Sequence, residues 1–380
     1  MPGTHALLSA SSAHRWIECP PSARICAEII EKEGEGSSVF AEEGTDAHAL
    51  CEYKLRKLLG EDVKDPTEDL NYYNQEMEEC ANDYASFVME KVNSIKEHCP
   101  DPLVLVEQRV DFSRFVPEGF GTADCLIIAD GTLEIIDYKH GLGVLVSAVM
   151  NPQMFCYALG ALELFGNLYD IEKVHLTIFQ PRKANISEDE ISKEDLLKWA
   201  DKTLSPAAKL AFEGKGEFAA GAHCQFCKIK QECRKRAEFN LEMAKYDFKM
   251  PDRLTNQEIS IILGKVDALV AWANDVKDFA LAKALDGEKY EGFKVVEGKS
   301  MRKYTDPDKV AEIVKAAGKN PYEEKLLGLT DMQKLLGKKK FEELLTEYIY
   351  KPQGKPTLAP AEDKRPEFTS AEFEFNKGEK

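Results

Sequence analysis

GTADCLIIADGTLEIIDYKHGLGVLVSAVMNPQMFCY, residues 121–157, holds two strand-like runs, a turn between them and the start of a helix-like run. Leu133-Glu134-Ile135-Ile136-Asp137-Tyr138-Lys139 is short, rich in apolar and β-branched residues, and follows an Asp130-Gly131 turn signal. Cys125-Leu126-Ile127-Ile128-Ala129 reads as its hairpin partner, with Asp124 at the start of that strand. Side chains alternate along a strand, so Asp137 and Lys139 project from one face. Two carboxylates and a lysine on neighbouring strands suit metal-assisted hydrolysis of a phosphodiester. The carboxylates hold a cation, while the lysine positions water or offsets charge building on the phosphate. Hard oxygen ligands favour Mg²⁺ or Mn²⁺ and give little reason to expect zinc there. The same D-x-K spacing also fits a solvated Asp–Lys pair on a surface hairpin.

Gln153 and Tyr157 sit four residues apart in an apolar, helix-compatible run, Pro152-Gln153-Met154-Phe155-Cys156-Tyr157-Ala158-Leu159, and therefore share a helix face. Asp124, Asp137-x-Lys139 and Gln153-x-x-x-Tyr157 together resemble the PD-(D/E)xK nuclease superfamily in its RecB-like branch. The resemblance implies a restriction-endonuclease-like core, a mixed sheet flanked by helices, and catalytic roles for Asp124, Asp137, Lys139, Gln153 and Tyr157. That branch also carries an upstream helical histidine, often after a glycine. Gly44-Thr45-Asp46-Ala47-His48 matches it, so the resemblance implies His48, Asp124 and Asp137 as metal ligands. Thr122-Ala123-Asp124 stands where the superfamily's Pro-Asp dipeptide would be, a departure that RecB-like members often show. Glu107, on the earlier strand-like run Val104–Val110, is a further acidic candidate, expected beside the ligand set and not in it.

The chain has ten cysteines, a start (MPGTHALLSASSAHRW) too polar for a secretory signal, and no apolar run of membrane length. The expectation is a cytoplasmic protein of a bacterial host cell, with no membrane partner, in which patterned thiols bind metal before they form disulfides. Cys224, Cys227 and Cys233 form a C-x₂-C-x₅-C run, and Cys19, followed by Pro20-Pro21, is the candidate fourth ligand. One cysteine before the core and three after it resembles the iron–sulfur staple of RecB-family nucleases such as AddB. There a [4Fe–4S] cluster ties the N-terminal segment to the far edge of the nuclease domain, and Leu8-Ser9-Ala10-Ser11 resembles the same entry segment. Zinc is the alternative, since both accept four thiolates, and Cys26 is the alternative to Cys19. Cys51, Cys80, Cys99, Cys125 and Cys156 are scattered singly and read as small buried hydrophobes.

A net charge of −17 opposes non-specific DNA binding, which depends on phosphate neutralisation. Local distribution counts for more than the sum. Lys228, Lys230, Arg234, Lys235 and Arg236 surround the cysteine run and read as a DNA-contacting patch, whereas Lys338-Lys339-Lys340 fits DNA contact and a solvated helix face equally. A weak, local basic groove suits a protein that acquires DNA through a partner. Such a partner would be a phage single-strand-binding or annealing protein, or a helicase.

Along the chain, helices are expected over 40–60 and 75–98, and strands over 103–112, 119–129 and 132–139. A helix over about 148–165, a strand over 172–180 and a helix over about 188–212 follow, the last opened by a capping box at Ser187-Glu188-Asp189-Glu190. This order implies a mixed α/β sheet. Residues 255–286 read as a long amphipathic helix, 289–304 as a short hairpin or strand, and 306–348 as small helices. The expected division is a nuclease domain at 1–240, a mainly helical region at 241–350 and a disordered tail at 351–380. Gly354–Pro360 and Asp363–Pro366 resemble a phage and prophage family described as a domain of unknown function, which implies a place in phage DNA recombination or replication. The functional expectation is a DNA exonuclease or end-processing nuclease; the alternative is a catalytically weak nuclease-fold scaffold or a partner-activated subunit.

Overall fold

The hairpin at Asp130-Gly131 lies at the centre of a five-stranded sheet in the computed structural model, which describes residues 6–34, 39–242, 254–296, 304–322 and 326–350. Gly131 takes a φ of +88°, the left-handed turn conformation that favours glycine. Five strands follow one another across the sheet: β1 (Leu103–Asp111), β2 (Phe120–Ala129), β3 (Gly131–Tyr138), β4 (Ile171–Gln180) and β5 (Asn185–Ser192). Neighbours are antiparallel except β3 and β4, which run parallel. A parallel pair needs a crossover, and the helix Pro152–Phe165 supplies it.

Strand alternation divides the core into two layers. Leu126, Ile128, Leu133 and Ile135 face one side, while Cys125, Ile127, Ile136 and Tyr138 face the other. The first layer is filled by α1 (Ala13–Glu18), α2 (Ser22–Glu33), the crossover helix, and the segment from α6 (Lys193–Trp199) to α7 (Ser205–Glu213). The second layer is filled by α3 (Val39–Leu58) and α4 (Gln75–Lys96), through Ala47, Leu50, Cys51, Leu55, Tyr84 and Val88 among others. The crossover helix is α5. Both faces are covered, so the central strands are near-continuous apolar runs. The mixed α/β sheet flanked by helices is as expected from the element order.

One expected helix begins elsewhere. Ser187-Glu188-Asp189-Glu190 lies in β5, paired antiparallel with β4 from Gln180↔Asn185 to Lys173↔Ser192. The N-cap is Ser192, whose hydroxyl accepts from the Asp195 amide at 3.1 Å. The acidic run fits a helix N-terminus locally, but it also completes the sheet edge, where Glu188 and Glu190 face solvent while Asp189 accepts from the Met150 amide at 3.1 Å. The following helix is not continuous: a π-helical turn, Ala200–Leu204, separates α6 from α7.

Met1–Ala280 and Leu281–Lys380 form two compact units. The sheet, α8 (Arg234–Leu241) and the start of α9 (Asn256–Leu285) belong to the first. In the second, Asp306 caps α10 (Pro307–Ala316) by accepting from the Lys309 amide at 3.0 Å, and α11 (Leu329–Leu336) and α12 (Lys338–Leu345) follow. These are the small helices expected there. The short hairpin or strand expected over 289–304 does not form in its described parts, 289–296 and residue 304. Residues 351–380 and the side chains of Lys338 and Lys339 lie outside the described residues. Among the described residues no helix is long and apolar enough to cross a membrane.

Candidate metal centre and cysteine pocket

Cys125 stands opposite Ile136 where β2 meets β3, so the next residues on the two strands are Asp124 and Asp137. Asp124 Oδ2 accepts the Tyr138 amide hydrogen at 2.7 Å. Asp137 is 1% exposed, with Lys139 Nζ 2.6 Å from its Oδ2. Gln153 Nε2 donates to Asp137 Oδ1 at 3.1 Å and to Tyr157 Oη at 3.0 Å. The last two residues share a face of α5, as their spacing requires.

The start of α5 is fixed locally. Asn151 Oδ1 accepts from the Gln153 amide at 3.0 Å, and Pro152 occupies the first turn. The loop before it is tied to β4 and β5: Gln180 donates to the Gly141 and Val144 carbonyls, and the Ser187 hydroxyl accepts from the Ala148 amide. Glycine lets α5 approach β1 and β2 closely. A Cβ on Gly121 would lie 2.9 Å from the Tyr157 ring, and one on Gly160 would lie 2.8 Å from Val110 Cβ.

From the other layer, α3 delivers His48, whose Nδ1 is 3.4 Å from Asp124 Oδ1 and whose ring meets Tyr138 edge-on at 5.5 Å. Asp124, Asp137, Lys139, Gln153, Tyr157 and His48 thus converge at one end of the β2–β3 pair. Their electrostatics are mutually dependent. Burial pushes the Asp137 carboxyl above its usual range, opposed by Lys139. Burial also acts upward on Asp124, but His48, Lys139 and the Tyr138 amide outweigh it and hold that carboxyl low. Burial pulls Lys139 down, and the two aspartates more than reverse it. The same contest, burial against Asp124, leaves His48 raised.

One acidic candidate lies closer than its sequence placed it, and one further feature escaped the sequence reading. Glu107 reaches the centre: a ligand atom from each of His48, Glu107 and Asp124 lies within 4.8 Å of the others. Burial and the nearby Asp124 charge lift its pKa to about 7. The feature the sequence did not show is a polar network behind Tyr138. Tyr138 Oη is 2.8 Å from His140 Nδ1, His140 Nε2 is 3.4 Å from Glu43, and Arg182 bridges Glu43 and Glu76 at 3.1 Å each. His140 continues the β3 alternation beyond Tyr138, which is the one sequence signal it offers. Arg182 follows β4, and nothing in its local sequence points to Glu43.

The cysteines assemble separately. Cys19, Cys224, Cys227 and Cys233 line one pocket, with Arg15 and His223 among its other walls. Cys26 lies just behind, its Sγ 3.9 Å from Cys227 Sγ and 3.5 Å from the Lys228 amide nitrogen that donates to it. Cys51, Cys80, Cys125 and Cys156 are buried as expected, while Cys99 is half-buried. The neighbouring basic residues do not all face outward. Arg236 is buried and bonds Asp275 of α9 at 2.6 Å, and Lys230 reaches the same carboxylate at 2.8 Å. Arg234 and Lys235 are exposed.

Fold and site define an α/β protein with a carboxylate–lysine–histidine centre on paired strands and a second, four-cysteine pocket. The chain belongs to the family described as "Protein of unknown function (DUF2800)", which it matches over residues 5–366. A solved structure titled "Crystal structure of SSO0001" is similar at 17% identity, over 51% of this chain and 98% of that one, with a TM-score of 0.24.

Proposed function

We propose that this chain is a metal-dependent deoxyribonuclease with a RecB-like PD-(D/E)xK core, acting on DNA ends in phage recombination or replication. One observation carries the reading. His48 of α3 meets Asp124 of β2 at 3.4 Å, and the Tyr138 amide ties Asp124 to β3 at 2.7 Å. Asp137 of β3 meets Lys139 just beyond it and Gln153 of α5, itself bonded to Tyr157, through contacts of 2.6–3.1 Å. A structural ion pair on a surface hairpin would explain Asp137 and Lys139 alone. It would not explain a buried aspartate clamped from α5, or a histidine aimed at its neighbour from α3.

Carboxylates and an imidazole converging on one end of the sheet fit Mg²⁺ or Mn²⁺, which would polarise the phosphate and lower the pKa of an attacking water. Asp124 and Asp137 would share the holding of that cation with His48. Lys139, kept cationic by Asp137, suits the offsetting of charge on the phosphate better than proton abstraction. Gln153 fixes the Asp137 carboxylate through Oδ1 and is itself held by the Tyr157 hydroxyl.

Cys19, Cys224, Cys227 and Cys233 would hold a [4Fe–4S] cluster as a structural staple. Zinc, which also accepts four thiolates, is the alternative occupant.

The test is digestion of end-labelled single- and double-stranded DNA by anaerobically purified protein with Mg²⁺, Mn²⁺ or EDTA. Cation-dependent cleavage that disappears in Asp137→Ala is expected. Cleavage by that variant at the parent rate refutes the site. A folded parent that cuts neither substrate refutes autonomous nuclease activity and favours a partner-activated subunit.

A further inference from the structure

We propose that Glu134, His175 and Glu190 form a second metal position, suited to Zn²⁺, on the sheet face opposite Asp124 and Asp137. Glu134 and Asp137 lie three residues apart on β3 and so project from opposite faces. This position therefore shares no residue with the carboxylate centre and does not depend on the nuclease reading.

Strand register builds the set. Glu134 of β3 stands opposite His175 of β4, which stands opposite Glu190 of β5, so the three side chains form one row across the sheet. Over this face α4 packs Tyr84, Val88 and Val92 into the second layer, and it ends at Lys96. Ser94 and Ile95 of its last turn, with His98 and Cys99 beyond, line a recess of about 400 Å³ that also includes Glu134 and His175. A neighbouring recess of about 440 Å³ is lined by Glu134, His175 and Glu190 together. The C-terminal end of a helix favours a cation beside it.

Glu134 carries the second observation. It is 8% exposed, and its Oε2 is buried without a hydrogen-bond partner. Its Oε1 is 3.9 Å from His175 Nδ1, too far for a hydrogen bond. A buried carboxylate oxygen left in this way is uncommon, and a bound ion is one physical reason for it. Protonation of His175 alone does not supply the missing partner, since Nδ1 has one hydrogen and Glu190 Oε2 is nearer, at 3.5 Å. The spacing suits a shared ion. Four bonds of about 2.1 Å in a tetrahedron put ligand atoms about 3.4 Å apart, close to the separations of Nδ1 from both carboxylates. The Glu190 side chain is 46% exposed and its other oxygen holds Lys173 at the surface, so it can turn inward without disturbing the core. An imidazole between two carboxylates is a donor set that zinc accepts, and His98 and Cys99 border the side left for a fourth ligand.

Equilibrium dialysis of the cation-stripped full chain against Zn²⁺, with bound zinc counted per chain by atomic absorption, tests this without recourse to activity. Glu134→Gln and His175→Gln are each expected to weaken one zinc equivalent at least tenfold, while Asp124→Asn and Cys227→Ser retain it. Glu134→Gln removes a buried charge, so without metal it is expected to melt no lower than the parent, and with zinc to gain less than the parent does. Parent-like zinc affinity in Glu134→Gln overturns the proposal. Loss of the same equivalent in Asp124→Asn assigns it to the carboxylate centre, and its loss in Cys227→Ser assigns it to the cysteine pocket; either result overturns the proposal as well.

Discussion

Replacing Lys139 with methionine keeps the length of the side chain and removes its charge, leaving Asp137 at 1% exposure without its partner at 2.6 Å. Breaking a buried pair from one side costs about 3–5 kcal/mol, because the remaining charge is uncompensated. Two features reduce that here. The Lys139 side chain is 25% exposed, which screens the pair, and Gln153 stays on the other carboxylate oxygen. A loss of about 2–3 kcal/mol is therefore expected, or roughly 5–10 °C in melting temperature for a unit of this size. The pH dependence has a defined sign. Asp137 already titrates above its unfolded value because of burial, and loss of the lysine raises it further. An acid raised on folding destabilises as pH climbs through its folded pKa, so the deficit of Lys139→Met should be full at pH 8 and shrink toward pH 4–5. The double variant Asp137→Asn/Lys139→Met should recover about 1–3 kcal/mol relative to the sum of the single changes. Urea denaturation in EDTA, followed by tryptophan fluorescence with Trp16 buried in the core, measures all three. A loss below about 0.5 kcal/mol for Lys139→Met, at the level of an ordinary surface ion pair, would refute the reasoning.

Cys227→Ser should lower bound iron and melting temperature together without changing any group of the carboxylate centre; metal analysis with calorimetry checks it, and unchanged stability removes the staple. Glu134 is 8% exposed with Oε2 lacking a hydrogen-bond partner, and burial raises its pKa despite His175 at 3.9 Å. Glu134→Gln should therefore stabilise by about 1 kcal/mol or more at pH 8, with the gain vanishing toward pH 4, in denaturation curves at both values. Gly160→Ala places a methyl 2.8 Å from Val110 Cβ and 3.2 Å from the Asp111 carbonyl. Overpacking of about 1–3 kcal/mol should exceed the roughly 1 kcal/mol helix-propensity gain, and a stabilised variant in thermal melts would contradict that close approach.

Local periodicity explains what could be read early. The Asp130-Gly131 turn, the two-residue step from Asp137 to Lys139 and the four-residue step from Gln153 to Tyr157 each follow from the repeat of one element. They hold in the structure because a strand alternates and a helix returns to the same face after about one turn. The error at Ser187–Glu190 has the same origin. Acidic residues after a serine satisfy a helix start locally, whereas pairing with β4 is set by a distant partner. Arg182 reaching Glu43, and Cys26 reaching Cys227, join residues 139 and 201 positions apart and leave no periodic trace.

Local patterning alone accounts for the α/β order, the strand carrying Asp137 with Lys139 just beyond it, the helix face carrying Gln153 and Tyr157, and the grouping of three cysteines. Those depend on interactions within one element or between adjacent elements. Tertiary structure decided that His48 crosses from the second layer to Asp124, that Cys19 joins Cys224, Cys227 and Cys233 around one pocket, and that β1 is kinked at Glu107. A left-handed glutamate is unfavourable on its own and exists because α3, β1 and β2 hold it there together, a condition that no single segment of the chain encodes.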